Sequence, residues 1–107
     1  MSERSLKLPL EIKRLAATFF EREANNQSLI TITDCLMSPD MKRATVLFTV
    51  LPETKEAAAL DFMRRKSGEL RTYVMKNMRM RIIPFFEIEI DQGEKNRQLV
   101  ENLLNKK

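Results

Sequence analysis

The fold of this chain is constrained most by two alternating runs of apolar and polar residues, at 29–37 and 43–50. Alternation with a period of two is typical of a strand that buries one face. The intervening "SPD" supplies turn chemistry, because proline restricts φ and aspartate accepts hydrogen bonds from the chain. We therefore predict an antiparallel hairpin. In the first strand, the predicted buried face is Ile30, Ile32 and Leu36, and the predicted outer face is Thr31, Thr33 and Cys35. In the second strand, the predicted buried face is Ala44, Val46, Phe48 and Val50.

Helical periodicity flanks this hairpin on both sides. Apolar residues recur at three- and four-residue spacings from Pro9 to Ala24, which predicts a first helix over that range. A second helical segment follows from Pro52, and its apolar stripe skips position 67, where Ser67 and Gly68 stand. Because the stripe resumes in register, we predict two helices stacked end to end across a bend. The stripe comprises Ala58, Leu60, Met63, Leu70, Val74 and Met78.

A third strand and a last helix complete the pattern. Pro84 is admissible at a strand start, and the residues after it alternate again. Gly93 opens a helix whose apolar face is Leu99, Val100, Leu103 and Leu104. A single domain over residues 1–107 is therefore predicted, an α+β fold with helices on one face of a three-stranded sheet. The third strand turns Phe86, Ile88 and Ile90 inward and Phe85, Glu87, Glu89 and Asp91 outward.

Residue types that are rare or absent exclude several kinds of site. The chain has no histidine and only one cysteine, which removes Ser-His and Cys-His pairs, histidine-ligated zinc and internal disulfides. Its two glycines lie too far apart for a G-x-x-G loop or a phosphate-binding loop. The carboxylates of Glu87, Glu89 and Asp91 share one strand face, where a solvated surface is favoured over a magnesium site. We predict neither a catalytic site nor a metal site nor a cofactor.

The location expected for this chain follows from its apolar segments. No apolar run approaches the length of a membrane span, and the first fifteen residues lack a secretory signal pattern. We therefore expect a cytoplasmic protein with no membrane partner.

Positive charge is concentrated in one quarter of the chain. Residues 55–81 carry eight Lys or Arg against three acids, whereas the remainder carries eleven against twelve. Charge alone leaves a solvated helix face and a nucleic-acid surface equally open, and favours both over an acidic membrane. Between Arg64 and Arg81, where most of these cations lie, Tyr73 is the one aromatic residue, so base stacking is not indicated and phosphates are the expected contacts. The candidates are Arg64, Arg65, Lys66, Arg71, Lys76, Arg79 and Arg81, with Lys42 and Arg43 as a second group.

The sequence resembles the ribosome-binding factor A family of bacterial-type assembly factors over residues 8–104. The resemblance rests on the "SPDMKR" turn, the serine-glycine pair inside the basic helix, and the "MRMRIIP" lead into an aromatic-acidic strand. It implies a type II KH-like fold in which a kinked helix, with a bend of the form small residue, any residue, glycine, replaces the G-x-x-G loop. Lys66, Ser67 and Gly68 occupy that motif here, with lysine where the family usually has alanine.

The resemblance also implies a function. Members of the ribosome-binding factor A family bind free 30S small ribosomal subunits and assist late maturation, including processing of the 16S rRNA precursor at its 5′ end. They are linked to growth in the cold, and they are not enzymes. The leading hypothesis is therefore a monomeric RNA-binding assembly factor in which Gly68 sets the angle between two basic helices. The alternative is a non-catalytic protein-interaction module whose charge only solvates it.

Overall fold

The computed structural model describes residues 3–23, 28–79 and 82–105 as an α+β domain, which confirms the predicted class and order of elements. A short 3-10 turn precedes the second helix. The elements are α1 (Glu3–Glu23), β1 (Leu29–Met37), β2 (Arg43–Leu51), the 3-10 turn (Glu53–Lys55), α2 (Glu56–Arg65), α3 (Ser67–Asn77), β3 (Phe85–Ile90) and α4 (Gln92–Asn105).

Helix α1 begins at Glu3, so the prediction that it starts at Pro9 is wrong. Pro9 lacks an N–H and cannot donate to the carbonyl of residue 5, but this is a single missing bond near one end of a long helix. Burial of the apolar face further along outweighs it. The predicted end at Ala24 falls outside the described residues. The buried face of α1 is Ile12, Leu15, Ala16, Phe19 and Phe20.

The three strands form one mixed sheet in the order β1-β2-β3. β1 pairs antiparallel with β2, as the hairpin prediction requires, and β2 pairs parallel with β3. A parallel pair needs a long crossover, which α2 and α3 provide. The face covered by α1, α2 and α3 holds the predicted β2 residues Ala44, Val46, Phe48 and Val50, all of them buried in the core.

A β-bulge in β1 changes which side chains face this core. The register moves from Ile32 opposite Phe48 to Asp34 opposite Leu47, so Thr33 is an extra residue. One extra residue reverses the facing of every side chain that follows, because the side-chain period of a strand is two. Cys35 is consequently buried, and Leu36 is 53% exposed. The prediction that Leu36 faces the core and Cys35 faces away is wrong for this reason.

The hairpin turn is ordered by side-chain hydrogen bonds. The Asp40 carboxylate accepts bonds from the Ser38 hydroxyl (2.6 Å) and the Lys42 N–H (3.0 Å). The Ser38 hydroxyl in turn accepts from the Arg43 N–H at 3.0 Å. The Ser38 hydroxyl, and after it the Lys42 N–H, lower the pKa of Asp40 below its usual value. This network fixes the backbone that carries Lys42 and Arg43.

The apolar stripe of α2 and α3 faces the core as predicted, with one shift. Met63, Leu70, Val74 and Met78 are buried, whereas Ala59 takes the place predicted for the exposed Ala58. Ala59 lies four residues before Met63 and shares its face of α2, whereas Ala58 lies five residues before it and points about 140° away. The stripe therefore runs continuously across the junction between the two helices.

Helix α4 projects from the end of β3 with its apolar face uncovered. Asp91 caps its N-terminus, because one carboxylate oxygen accepts the Glu94 N–H at 2.9 Å. The other oxygen accepts the Thr33 hydroxyl at 2.5 Å and ties this cap to β1. Lys95 ties its first turn to Glu53 and Glu56 at 2.7 and 2.9 Å. Beyond this turn the predicted apolar face, Leu99, Val100, Leu103 and Leu104, is 53–74% exposed.

Candidate nucleic-acid interface

The bend between α2 and α3 is made by one residue, Lys66. Its φ and ψ of −89° and 0° depart from ideal helical values, and its N–H is shared between the Phe62 and Met63 carbonyls at 3.1 Å. Its own carbonyl accepts the Leu70 N–H at 2.9 Å, which starts α3. The two helices therefore join without a loop. We refer to Arg65, Lys66 and Lys76, which lie along these two helices, as the basic ridge.

Ser67 and Gly68 are already the first two residues of α3. Gly68 does not have a positive φ, and a Cβ placed on it would meet no atom within 4 Å. Neither the backbone conformation nor the packing requires glycine at this position. An open cleft of about 540 Å³ lies beside it, lined by Phe62, Arg65, Lys66, Gly68, Glu69 and Thr72. Because Gly68 has no side chain, its exposed backbone lines this cleft directly.

The cations next to the bend pair with exposed carboxylates. Arg65 pairs with Asp61 at 3.2 Å, and both side chains are more than 70% exposed. Lys66 pairs with Glu69 at 3.1 Å, and its side chain is 31% exposed. Exposed pairs of this kind contribute about 0–1 kcal/mol, so a phosphate can compete for the cation. The bend can therefore attract an anion at small cost to the protein.

Arg64 has a structural bond as well as an exposed position. Its Nε donates to the Ile88 carbonyl at 3.3 Å and ties the end of α2 to the edge strand β3. A guanidinium carries five N–H donors, so this bond uses only one of them. Arg64 can contribute to an anion site while holding α2 against the sheet.

Arg71 differs from the other predicted contacts because it is half-buried and turned toward the segment before β3. Its Nη2 donates to the Ile83 carbonyl at 3.1 Å. Its guanidinium carbon lies over the Phe85 ring, 5.4 Å from the ring centroid. Its Nε is buried and has no hydrogen-bond partner among the residues that the structure describes. The structure therefore places Arg71 as an anchor between α3 and β3, away from the exposed ridge.

The remaining predicted cations lie at the two ends of the site. Lys76 and Arg79 are exposed, at the end of α3 and just after it, and Arg81 falls outside the described residues. Lys42 and Arg43 are exposed at the hairpin turn, where Arg43 approaches Glu87 only to 3.8 Å. The Lys42 carbonyl accepts the Phe85 N–H at 2.9 Å, so the second basic group lies beside the start of β3.

An exposed aromatic ring beside this second group is a feature that the sequence analysis missed. Phe85 was assigned correctly to the outer face of β3, but it is 69% exposed and lies against Arg71. Tyr73, the aromatic residue noted in the basic region, is half-buried and packs on Phe19 with ring centroids 5.6 Å apart. The available signal was that Phe85 falls on the outward-facing positions of β3 in the alternating pattern. It was missed because exposed rings were expected only on the basic helices.

The other reactive groups do not assemble into a site in the part of the chain that the structure describes. Burial, followed by the neighbouring Asp34 charge, raises the pKa of the Cys35 thiol to about 12, so it stays protonated near neutral pH. Glu87 and Glu89 are exposed, and Asp91 directs both oxygens to Thr33 and the start of α4. Across the described ranges, no three His, Cys, Asp or Glu residues converge as metal ligands.

The fold and the surface together define a small KH-like domain with a basic interhelical bend in place of a glycine-rich loop. The sequence model described as ribosome-binding factor A matches residues 4–104. A match over almost the whole chain shows that it belongs to the ribosome-binding factor A family. None of the helices within the described ranges is long and apolar enough to cross a membrane.

Individual relatives and solved structures agree with this assignment. A ribosome-binding factor A of Corynebacterium diphtheriae is 31% identical over 94% of this chain and 74% of its own length. One from an Arthrobacter species is 32% identical over 94% of this chain, which spans 62% of that relative. The crystal structure of ribosome-binding factor A from Thermus thermophilus has a TM-score of 0.72 and 23% identity, covering 79% of this chain and 93% of that chain. This likeness shows the same fold.

A further structural neighbour concerns a complex. It is a homology model of the Thermus thermophilus factor, fitted into a cryo-electron microscopy map of that factor bound to the 30S subunit. Its TM-score is 0.69 at 22% identity, with 78% of this chain and 91% of that chain covered.

Proposed function

We propose that this chain is a ribosome assembly factor that binds the free 30S subunit through 16S rRNA. It acts late in maturation and assists processing of the precursor at its 5′ end. The observation that carries the proposal is the family match over residues 4–104, which includes the exposed basic bend. The factor acts as a cytoplasmic monomer, and it is not an enzyme.

The geometry of the basic ridge supports recognition of phosphates. Arg65 and Lys66 pair with exposed carboxylates one helical turn away, and Lys76 is exposed further along α3. Phosphate contacts release condensed counterions, so they contribute affinity that falls steeply with salt. A surface of this kind reads the path of the RNA backbone and not its sequence. The factor can then favour one conformation of an immature subunit by binding it more tightly than another.

The test is binding to purified small subunits and to a 16S rRNA fragment across a salt series. The variant Arg65→Gln with Lys76→Gln removes two charges from the ridge. The matched control, Arg14→Gln with Lys55→Gln, removes two exposed charges on α1 and in the 3-10 turn. The ridge variant should lower the slope of log K against log salt by about 0.7–0.9 unit for each phosphate that its side chains no longer neutralise. Arg64 is left intact in this test because it holds the Ile88 carbonyl.

Two results contradict the proposal. One is failure of the parent protein to bind either probe at low salt. The other is a control variant that changes the slope as much as the ridge variant does, because the effect would then reflect net charge and not a defined surface.

A protein-interaction module remains the second candidate, and the uncovered face of α4 favours it. Leu99, Val100, Leu103 and Leu104 form an apolar stripe that no described residue covers. Binding to intact subunits that persists in the ridge variant, together with no binding to the rRNA fragment, would support this candidate over RNA recognition.

A further inference from the structure

Phe85 is the single exposed ring among the seven aromatic residues of the chain, all of which lie within the described ranges. It is 69% exposed, whereas the other six are buried or half-buried. Single apolar residues on a surface need no explanation by themselves. Phe85 differs from an ordinary exposed apolar residue because cations surround it.

Cations lie next to the ring from two different elements. Arg71 of α3 places its guanidinium over the ring at 5.4 Å and is held there by its 3.1 Å bond to the Ile83 carbonyl. Arg43 of β2 is the direct cross-strand neighbour of Phe85, and its side chain is 71% exposed. The Phe85 backbone is fixed by its N–H bond to the Lys42 carbonyl. The ring is therefore held in place and open to solvent beside positive charge.

We propose that Phe85 is a stacking platform for one unpaired base of single-stranded RNA, with Arg43 and Lys42 placed for the flanking phosphates. Aromatic rings bind unpaired bases through their faces, and neighbouring arginines add to this attraction. A base inside a duplex is excluded because both its faces are already stacked. The inference rests on the proposed RNA-binding function and adds to it a contact that depends on strandedness.

The probe is a short single-stranded RNA containing 2-aminopurine, whose fluorescence is quenched when the base stacks. The duplex form of the same RNA is measured in parallel. Phe85→Leu keeps an apolar side chain of similar size but removes the aromatic face, and Phe85→Tyr keeps the face. Ile82→Ala is the matched control, since Ile82 is also an exposed apolar residue, at 64%, close to the same segment.

The expected result is single-strand affinity roughly 5- to 150-fold weaker for Phe85→Leu, with loss of quenching, and near-parental affinity for Phe85→Tyr and Ile82→Ala. The salt slope should not change for Phe85→Leu, because no charge is removed. Thermal unfolding of each variant shows that the fold is retained, as expected for an exposed position.

Unchanged single-strand affinity and quenching in Phe85→Leu would overturn the platform while leaving the proposed function intact, provided that the ridge variant still shows its lower salt slope. An equal loss for single-stranded and duplex RNA would also overturn it, because a stacking site must distinguish the two. If the parent protein binds no RNA, both the proposed function and the platform fall together.

Discussion

Replacing Gly68 with alanine is the sharpest test of how the bend is built. Gly68 is the second residue of α3, its φ is not positive, and an added Cβ would touch nothing within 4 Å. Alanine is favoured over glycine in a helix by about 0.5–1 kcal/mol, mainly because it restricts the unfolded chain. Gly68→Ala should therefore raise the free energy of unfolding by this amount and the midpoint of thermal unfolding by about 2–6 °C.

The assay is thermal and urea unfolding followed by circular dichroism, with Gly93→Ala as the matched control. Gly93 is likewise the second residue of its helix, and a Cβ there would lie 3.5 Å from Asp91 Oδ1, an ordinary contact. Both variants should be stabilised. A lower free energy of unfolding for Gly68→Ala alone would refute the reasoning and show that the bend itself needs glycine.

The same pair of variants separates stability from function. If RNA approaches the cleft closely at Gly68, the added methyl group should weaken binding to the small subunit even though the protein becomes more stable. Gly93→Ala should leave that binding unchanged.

Two further predictions follow from individual side chains. Arg71→Met should lower the free energy of unfolding, measured in urea, by about 1–3 kcal/mol, because the Ile83 carbonyl loses its donor. The control Lys76→Met changes an exposed residue on the same helix and should alter that free energy by no more than about 0.5 kcal/mol. Equal effects of the two variants would contradict the anchor role of Arg71. The Ser38 hydroxyl is the main cause of the lowered pKa of Asp40, so this carboxylate should stabilise the fold above about pH 4 and lose that contribution as pH falls through its lowered pKa. Asp40→Asn should make the free energy of unfolding, measured in urea, fall less steeply with pH in this acid range. An unchanged pH dependence would argue against the network.

Much of the fold could be predicted from short-range patterns. The hairpin, the alternation of β3 and the continuous stripe across α2 and α3 were all found in the sequence, since each depends on residues close together in the chain. The bulge at Thr33 could not be placed in this way, because it depends on how β1 aligns with β2. The reversed facing of Cys35 and Leu36 follows from that alignment.

The positive charge of the candidate site could be predicted from the sequence, but the directions of its side chains could be predicted only in part. The concentration of positive charge on the basic helices is readable from the sequence, and Lys42, Arg65, Lys76 and Arg79 are indeed exposed. The direction of the Arg71 side chain was not readable, because its partners lie on a segment that packs against α3 only in the folded protein.

The sequence by itself determined the order of helices and strands, the apolar face of most of them and the charge of the helical surface. These depend on side-chain period and local backbone preference, which act over a few residues. Tertiary structure alone decided that Arg71 is an anchor and that Phe85 stays open beside it. Those outcomes depend on which backbone carbonyls and rings distant segments bring within reach of one another, and a periodic pattern carries no record of such contacts.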